Sequence, residues 1–291
     1  MTIVVTGATG HLGHLIVEAL LRDGTPASDI LAAGRNTGKL ADLEALGVRV
    51  VAIDFDEPAT LDGAFAGADT VMLVSASEPG HRFPQHKAAI DAAKAAGVSR
   101  IVYTSAPSAT NTALILAPEH KATEEYLVAS GVPFTILRNG WYTENYTSAA
   151  RQASESGVLV ASVGSGTVAS ATRADYADAA AAVLVDESHT GKVYELSGDI
   201  AWGFDELAAT IADITGKPVT YTPLSPEDHH AALLSAGLDE GTAGFVVALD
   251  GNSRDGLLGV VTGDLSRLTG RPTTPLREGL AAALSATRRT C

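Results

Sequence analysis

The sequence predicts an α/β fold, a doubly wound parallel sheet with a smaller C-terminal α/β lobe, and three observations carry that prediction. A β-branched run, Ile3-Val4-Val5, leads into Thr6 and the glycines Gly7, Gly10 and Gly13, after which a helical pattern opens. Short apolar runs then alternate with helix patterns, as βαβ units with a sheet covered on both faces require. After about Asn139 that alternation breaks down, and aromatics, Ser and Thr become dense. Together these features predict a Rossmann-type dinucleotide-binding domain over residues 1–138. Residues 139–291 form mainly a substrate lobe, with some segments returning to the Rossmann core.

Strand-like runs occupy 3–5, 30–33, 48–52, 70–74, 100–104 and 134–137, with helix patterns between them at 12–21, 39–46, 61–65, 85–96 and 120–129. Further on come a helix at 176–185, a strand at 193–196, a helix at 204–215, a strand at 219–222, and helices at 226–236 and 276–286. Turns with Pro and Gly are scattered throughout, so no linker marks a sharp cut.

Bulk properties narrow the function classes. The 291 residues are 46% hydrophobic, enough for a sizeable core. With 20 basic and 34 acidic residues the net charge is −14, which gives no general attraction for nucleic acid or an anionic membrane. The expected partner is a small-molecule acceptor, and a homodimer is left open. One cysteine, Cys291, excludes an internal disulfide and a Cys-based zinc site, and suits a reducing cytoplasm. No segment reaches the roughly 18 apolar residues of a membrane span, and no leader-like pattern precedes the first strand. The eight His form no metal-ligand spacing, so no metal is expected; His229 and His230 diverge on a helix, while His86 and His120 fit either a cleft or a helix surface.

The glycine loop is the strongest local signal. Strand, tight turn and helix N-terminus together cradle a phosphate, because free N–H groups and the helix dipole point at an anion. Its spacing is G-x-x-G-x-x-G rather than G-x-G-x-x-G. At the end of the second strand, Gly34-Arg35-Asn36 places an Arg where a site for NAD puts Asp or Glu to hold ribose hydroxyls. A guanidinium there suits a 2′-phosphate, hence NADPH; the bland alternative is a solvent-facing Arg. Asp54-Phe55 after the third strand fits an adenine contact as well as it fits an ordinary loop. Ser75, Ala76 and Ser77, after the fourth strand, are small enough to let a cofactor pass close to the backbone, or they cap the next helix.

A catalytic set is only partly present. Short-chain dehydrogenases pair a Ser with Tyr-x-x-x-Lys, the Tyr donating a proton. Here Ser105 ends a strand and Lys121 follows, but Ala117 stands where the Tyr belongs. The usual carbonyl-reduction machinery is therefore absent. Lys121 is left either as a ribose contact or as a solvated helix residue. The segment Asn139-Gly140-Trp141-Tyr142-Thr143-Glu144-Asn145-Tyr146 packs three aromatics and two amides behind a strand, which fits a flat-ring pocket or a structural corner.

TGATGHLG at 6–13, GRN at 34–36, SASEPGHRFPQH at 75–86 and LRNGWYTENY at 137–146 resemble the NmrA-like atypical short-chain dehydrogenases. Within them the set is most similar to the type 2 NAD(P)H:quinone oxidoreductases. SATRADYA at 170–177, KVYELSGDIAW at 192–202 and LTGRPTTPL at 268–276 extend the likeness to nearly the whole chain. The resemblance implies a Rossmann domain with a small lobe, NADPH in the cleft, and quinone reduction without a flavin. It places cofactor contacts on Gly7, Thr9, Gly10, His11, Leu12, Arg35, Ser75, Ala76, Ser77 and Asn139 to Glu144, and substrate contacts on Asn145, Tyr146 and Arg173. The sister group, triphenylmethane reductase, reduces cationic dyes. Phe83 and Lys121 fall where members vary.

The expected chemistry is direct hydride transfer to a quinone-like acceptor, with Asn145, and Lys121 if it reaches the cleft, as catalytic residues. Asp54, Phe55 and Ser105 complete the expected cofactor set. Two alternatives stay open: a reductase of another acceptor (dye, imine, enone or biosynthetic intermediate), and a non-catalytic NADP-binding redox sensor.

Overall fold

The computed structural model describes residues 1–78 and 80–286. Cys291, and Pro79 of the segment after the fourth strand, lie outside the described residues. The first half runs β1 (Ile3–Val5), α1 (His11–Arg22), β2 (Ile30–Gly34), α2 (Ala41–Ala45), β3 (Arg49–Ala52), α3 (Pro58–Phe65), β4 (Thr70–Leu73), α4 (Arg82–Ala95), β5 (Arg100–Ser105), α5 (Ala117–Ser130) and β6 (Phe134–Asn139). The second half adds α6 (Thr147–Ser156), β7 (Val158–Ala161), β8 (Thr167–Val168), α7 (Arg173–Val185), β9 (Val193–Leu196), β10 (Trp202–Gly203), α8 (Phe204–Thr215), β11 (Thr220–Pro223), α9 (Pro226–Ser235), α10 (Glu240–Arg254), α11 (Asp264–Thr269) and α12 (Leu276–Ala286).

Seven strands form one parallel sheet in the order β3-β2-β1-β4-β5-β6-β9. Because side chains alternate along a strand, Val4 faces one side and Ile3 and Val5 the other, and both sides are covered. Ile3 and Val5 pack with Ile16 and Leu20 of α1 and Leu184 of α7. Val4 packs with Phe65 of α3, Ile90 of α4 and Leu127 of α5. Each such side chain, fully buried, contributes roughly 1.5–3 kcal/mol. A third cluster, around Trp202, Phe204 and Ile211, belongs to the later part of the chain with the two small sheets β10-β8 and β11-β7. Two later elements sit on the main sheet: β9 pairs with β6, and α7 packs on α1.

The strand order reverses at β1, which pairs with β2 on one side and β4 on the other. That splits the sheet's C-terminal edge, where ligands of open α/β sheets bind. The Thr6 hydroxyl bridges the split, donating to Met72 O at 3.0 Å and accepting from Val74 N at 3.1 Å.

The expected helix at 39–46 is a 3-10 turn over Thr37–Leu40 followed by the short α2. α6, α10 and α11 and the short strands β7, β8 and β10 were not expected from the sequence. α6 reads TSAARQASES and buries only Ala150 and Ala153, too small a stripe to register as a helix signal. α10 carries three interior-type glycines, each costing about 1 kcal/mol relative to Ala, and is started by the Asp239 side chain accepting from Thr242 N. No helix among the described residues is long and apolar enough to cross a membrane.

Candidate cofactor and acceptor cleft

A cleft of about 540 Å³ opens along the split edge of the sheet. Its cradle comes from the loop after β1. Gly7 has φ +63°, the left-handed region a glycine enters without strain. Ala8 N donates to Ala33 O and Gly10 N to Gly7 O, which fixes the turn before α1. A Cβ at Gly13 would lie 2.6 Å from the Gly7 carbonyl carbon, so only glycine lets α1 start so close to the loop. Gly7, Thr9, Gly10, His11 and Leu12 all line the cleft.

At one end stand Arg35, Asp54 and Phe55, beyond β2 and β3. Arg35 is exposed, and its Nη1 lies 2.9 Å from Glu78 Oε1. Ser75, Ala76 and Ser77 form the floor after β4. They are held from below: Ser75 N donates to Thr104 Oγ1, Ala76 N to His86 Nε2, and Arg82 Nε to Ala76 O.

The far end is built by β5, α5 and β6. Ser105, Asn139, Gly140, Trp141, Tyr142, Asn145 and Arg173 line it together with His120. Ser105 donates its proton to Glu124 Oε1 at 2.5 Å, so its hydroxyl is committed away from general-acid work. Glu124 in turn takes two bonds from Arg138, which also reaches Glu195 at 2.7 Å; that pairing pushes the Arg138 guanidinium well up. Asn139 donates Nδ2 to Tyr142 Oη at 3.3 Å, while its Oδ1 is buried without a partner among the described residues. Arg173 donates to Asn145 Oδ1 at 2.9 Å and covers the Tyr142 ring at 4.7 Å. The amide N–H groups of Asn145 are thereby left for the cleft.

Four expected site residues lie outside the cleft lining. Lys121, expected as a catalytic residue, is about half exposed on α5, with Glu125 at 3.8 Å, and lies outside the cleft lining. Thr143 is buried against Ser170, hydroxyl to hydroxyl at 2.9 Å. Glu144 accepts from Arg173 N at 2.9 Å, which seats the start of α7 on the turn after β6. Tyr146 packs edge-on against Trp202 and Phe204, with centroids at 5.0 and 5.8 Å, and burial drives its phenol well up. These three hold the wall of the cleft rather than forming its surface.

Other groups emerge only in three dimensions. Gly34, Glu78, Arg82, Leu114 and Leu116 join the lining. His86 is fully buried beneath the floor. His14, Glu18 and Asp42 meet on the solvent side of α1, His14 Nε2 lying 3.0 Å from Asp42 and 3.7 Å from Glu18. Spacing could not show that trio, because Asp42 comes from a different helix.

These features fit a dinucleotide with a 2′-phosphate. The cradle has no room for a Cβ at Gly13, a guanidinium flanks the β2 end, and an orphaned buried carbonyl waits at the β6 end for an N–H donor such as a carboxamide.

Comparison with known proteins agrees. The NAD(P)H-binding family matches residues 7–187. Escherichia coli quinone oxidoreductase 2 is 47% identical over 279 residues, covering 96% of this chain and 97% of that protein. The crystal structure of the NADPH-dependent E. coli quinone oxidoreductase complexed with NADPH superposes with a TM-score of 0.93, covering 97% of this chain and 99% of that one. The Citrobacter sp. triphenylmethane reductase complexed with NADP(H) gives 0.92 at 38% identity, covering 97% of this chain and 100% of that one. With the cradle inside the matched region and both structures aligned from end to end, the chain belongs to the NAD(P)H-binding family.

Proposed function

We propose that the chain is an NADPH-dependent reductase that passes hydride directly to a quinone or similar conjugated small molecule, without a flavin. One observation carries it: a single cleft joins the glycine cradle and Arg35 at one end to Asn139, Asn145 and Arg173 at the other. The similarity to the E. coli quinone oxidoreductase supports the acceptor class. NADPH, when bound, supplies the hydride.

The chain's own residues bind, orient and exclude water. Gly7, Gly10 and the first N–H groups of α1 would hold the diphosphate, and Arg35 the 2′-phosphate. Asn139 Oδ1 would accept from the nicotinamide carboxamide, fixing which face of the ring meets the acceptor. Trp141 and Leu114 give that end apolar walls, which shed water and strengthen the polar contacts inside. Asn145, oriented by Arg173, would direct its N–H toward the acceptor's oxygen. A conjugated acceptor spreads incoming charge over its ring, so Ala117 in place of a phenol is compatible with turnover. A reducing compartment, the cytoplasm, is supported by a single Cys in 291 residues.

The test is NADPH consumption with a panel of quinones, enones, imines and cationic dyes. Turnover with quinones at the highest kcat/KM is expected. Tight NADPH binding with no turnover of any acceptor would sink the proposal in favour of an NADP-binding sensor.

A further inference from the structure

A reductase of this kind leaves negative charge on the acceptor's oxygen, and the chain lacks the phenol that short-chain dehydrogenases place at 117. His120 stands three residues further along α5, on the same helix face. It is buried yet lines the cleft. Its Nδ1 lies 2.7 Å from the hydroxyl of Tyr103, a side chain fully buried in the middle of the sheet. That bond is made by Nδ1, so the Nε2 edge is the one the ring can offer to the cleft it lines.

The second histidine of the region shows how this floor sorts its protons. His86 Nε2 accepts from Ala76 N at 2.9 Å, so its proton sits on Nδ1 and goes to Thr123 Oγ1 at 3.0 Å. Thr123 passes its own proton to Glu119 O, and Ser105 passes its proton to Glu124. His86 is thus spent on holding the floor, and His120 is the ring with an edge to offer the cleft.

Resting on the proposed reductase activity, we infer that His120 is a catalytic residue: its Nε2–H, set in that tautomer by the Tyr103 hydroxyl donating to Nδ1, hydrogen-bonds the acceptor's oxygen as charge develops there. Tyr103 is the positioning residue. The electron balance is simple. A quinone takes up two electrons and one hydrogen as hydride from the dihydronicotinamide and becomes a hydroquinone monoanion. His120 stabilises that oxygen without giving up its proton, and water supplies the proton that completes the hydroquinone.

Burial, with the Arg82 guanidinium nearby, pushes the His120 imidazole down to about 3, so the ring is neutral at pH 7 and donates as an imidazole. Burial also drives the Tyr103 phenol well up, outweighing the Thr123 and Ser105 hydroxyls beside it, so the phenol keeps its proton. A neutral, preorganised N–H in a dry site is the kind of donor whose removal costs on the order of 100-fold in kcat.

The test uses three variants of the full chain with 1,4-naphthoquinone. His120→Phe is expected to lower kcat about 100-fold with the NADPH dissociation constant within about twofold of wild type. His120→Gln, whose amide can accept from Tyr103 and donate into the cleft, should recover most of that loss. Tyr103→Phe should lower kcat several-fold and leave KM unchanged. Independently, ¹⁵N NMR of the NADP⁺ complex should show His120 as the Nε2–H tautomer, with that resonance shifting when 1,4-naphthoquinone is added. An Nδ1–H tautomer, an unmoved resonance, or unchanged kcat in a folded His120→Phe overturns the inference alone. No turnover by wild type with any acceptor overturns the reductase reading instead.

Discussion

Arg35 Nη1 lies 2.9 Å from Glu78 Oε1, so the residue best placed to hold a 2′-phosphate is held by an acid on the facing loop. A phosphate would compete with Glu78 for the same guanidinium. Both side chains are exposed, so the pair itself contributes at most about 1 kcal/mol. Glu78→Gln should therefore tighten NADPH binding about twofold to fivefold by removing the competitor. Arg35→Ala should weaken NADPH about 10-fold to 100-fold and leave NADH nearly unchanged, since only NADPH carries the extra phosphate. Titration of both cofactors by fluorescence checks this; an unaltered NADPH/NADH preference in Arg35→Ala rules out the assignment.

Lys121 offers a test of opposite sign. It is about half exposed, lies near Glu125 at 3.8 Å, and is absent from the cleft lining. Lys121→Met should keep kcat and KM within about twofold of wild type, because an exposed i,i+4 pair is worth only about 0.3–0.5 kcal/mol. A 10-fold or greater fall in kcat would mean that the lysine swings into the cleft.

The cradle is intolerant of one added carbon. Gly13→Ala puts a Cβ 2.6 Å from the Gly7 carbonyl carbon and 2.9 Å from Ala8 Cα, both rigid backbone. Relieving that clash moves α1 off the loop, at a cost of about 1–3 kcal/mol in stability and most of the NADPH affinity. Gly63, on α3, has open space around its Cβ position, so Gly63→Ala is the control and should stabilise slightly. Denaturant melts with and without NADPH read both effects.

Two buried rings make stability pH-dependent. Burial holds the His86 and His120 imidazoles down to about 3. The unfolded chain therefore binds protons below the ordinary histidine value of about 6.5 while the folded chain does not, and stability falls as pH drops through that window. Each ring costs about 1.4 kcal/mol per pH unit there, or about 2 kcal/mol at pH 5 relative to pH 7.5 and above. Urea midpoints measured from pH 7.5 to 5.0 should fall steadily; a flat profile would mean both rings protonate freely in the folded protein.

Contiguous signals made much of this protein legible in advance. The run Ile3-Val4-Val5, the three glycines and the helix behind them are neighbours in sequence, so their local geometry follows from backbone sterics. The six strands of the first half stand where the apolar runs fall, most plainly at β1 and β4, which are buried along their whole length; β3, at the sheet edge, is exposed at both ends. Arg35 was legible from local sequence too, as the residue that follows β2 at the end of the cleft. α6 and α10 were not, since their helical state rests on tertiary packing and capping rather than on an apolar stripe.

What only the tertiary structure decided is which way side chains point and what they meet. His120 and Lys121 are adjacent in sequence, yet a helix turns about 100° per residue, so one lines the cleft and the other faces water. Tyr103 meets His120 across 17 positions, and Arg173 meets Asn145 across 28. Such pairs are made by the packing of α5 on β5 and of α7 against the turn after β6. Packing depends on the whole buried surface, and no local spacing encodes it.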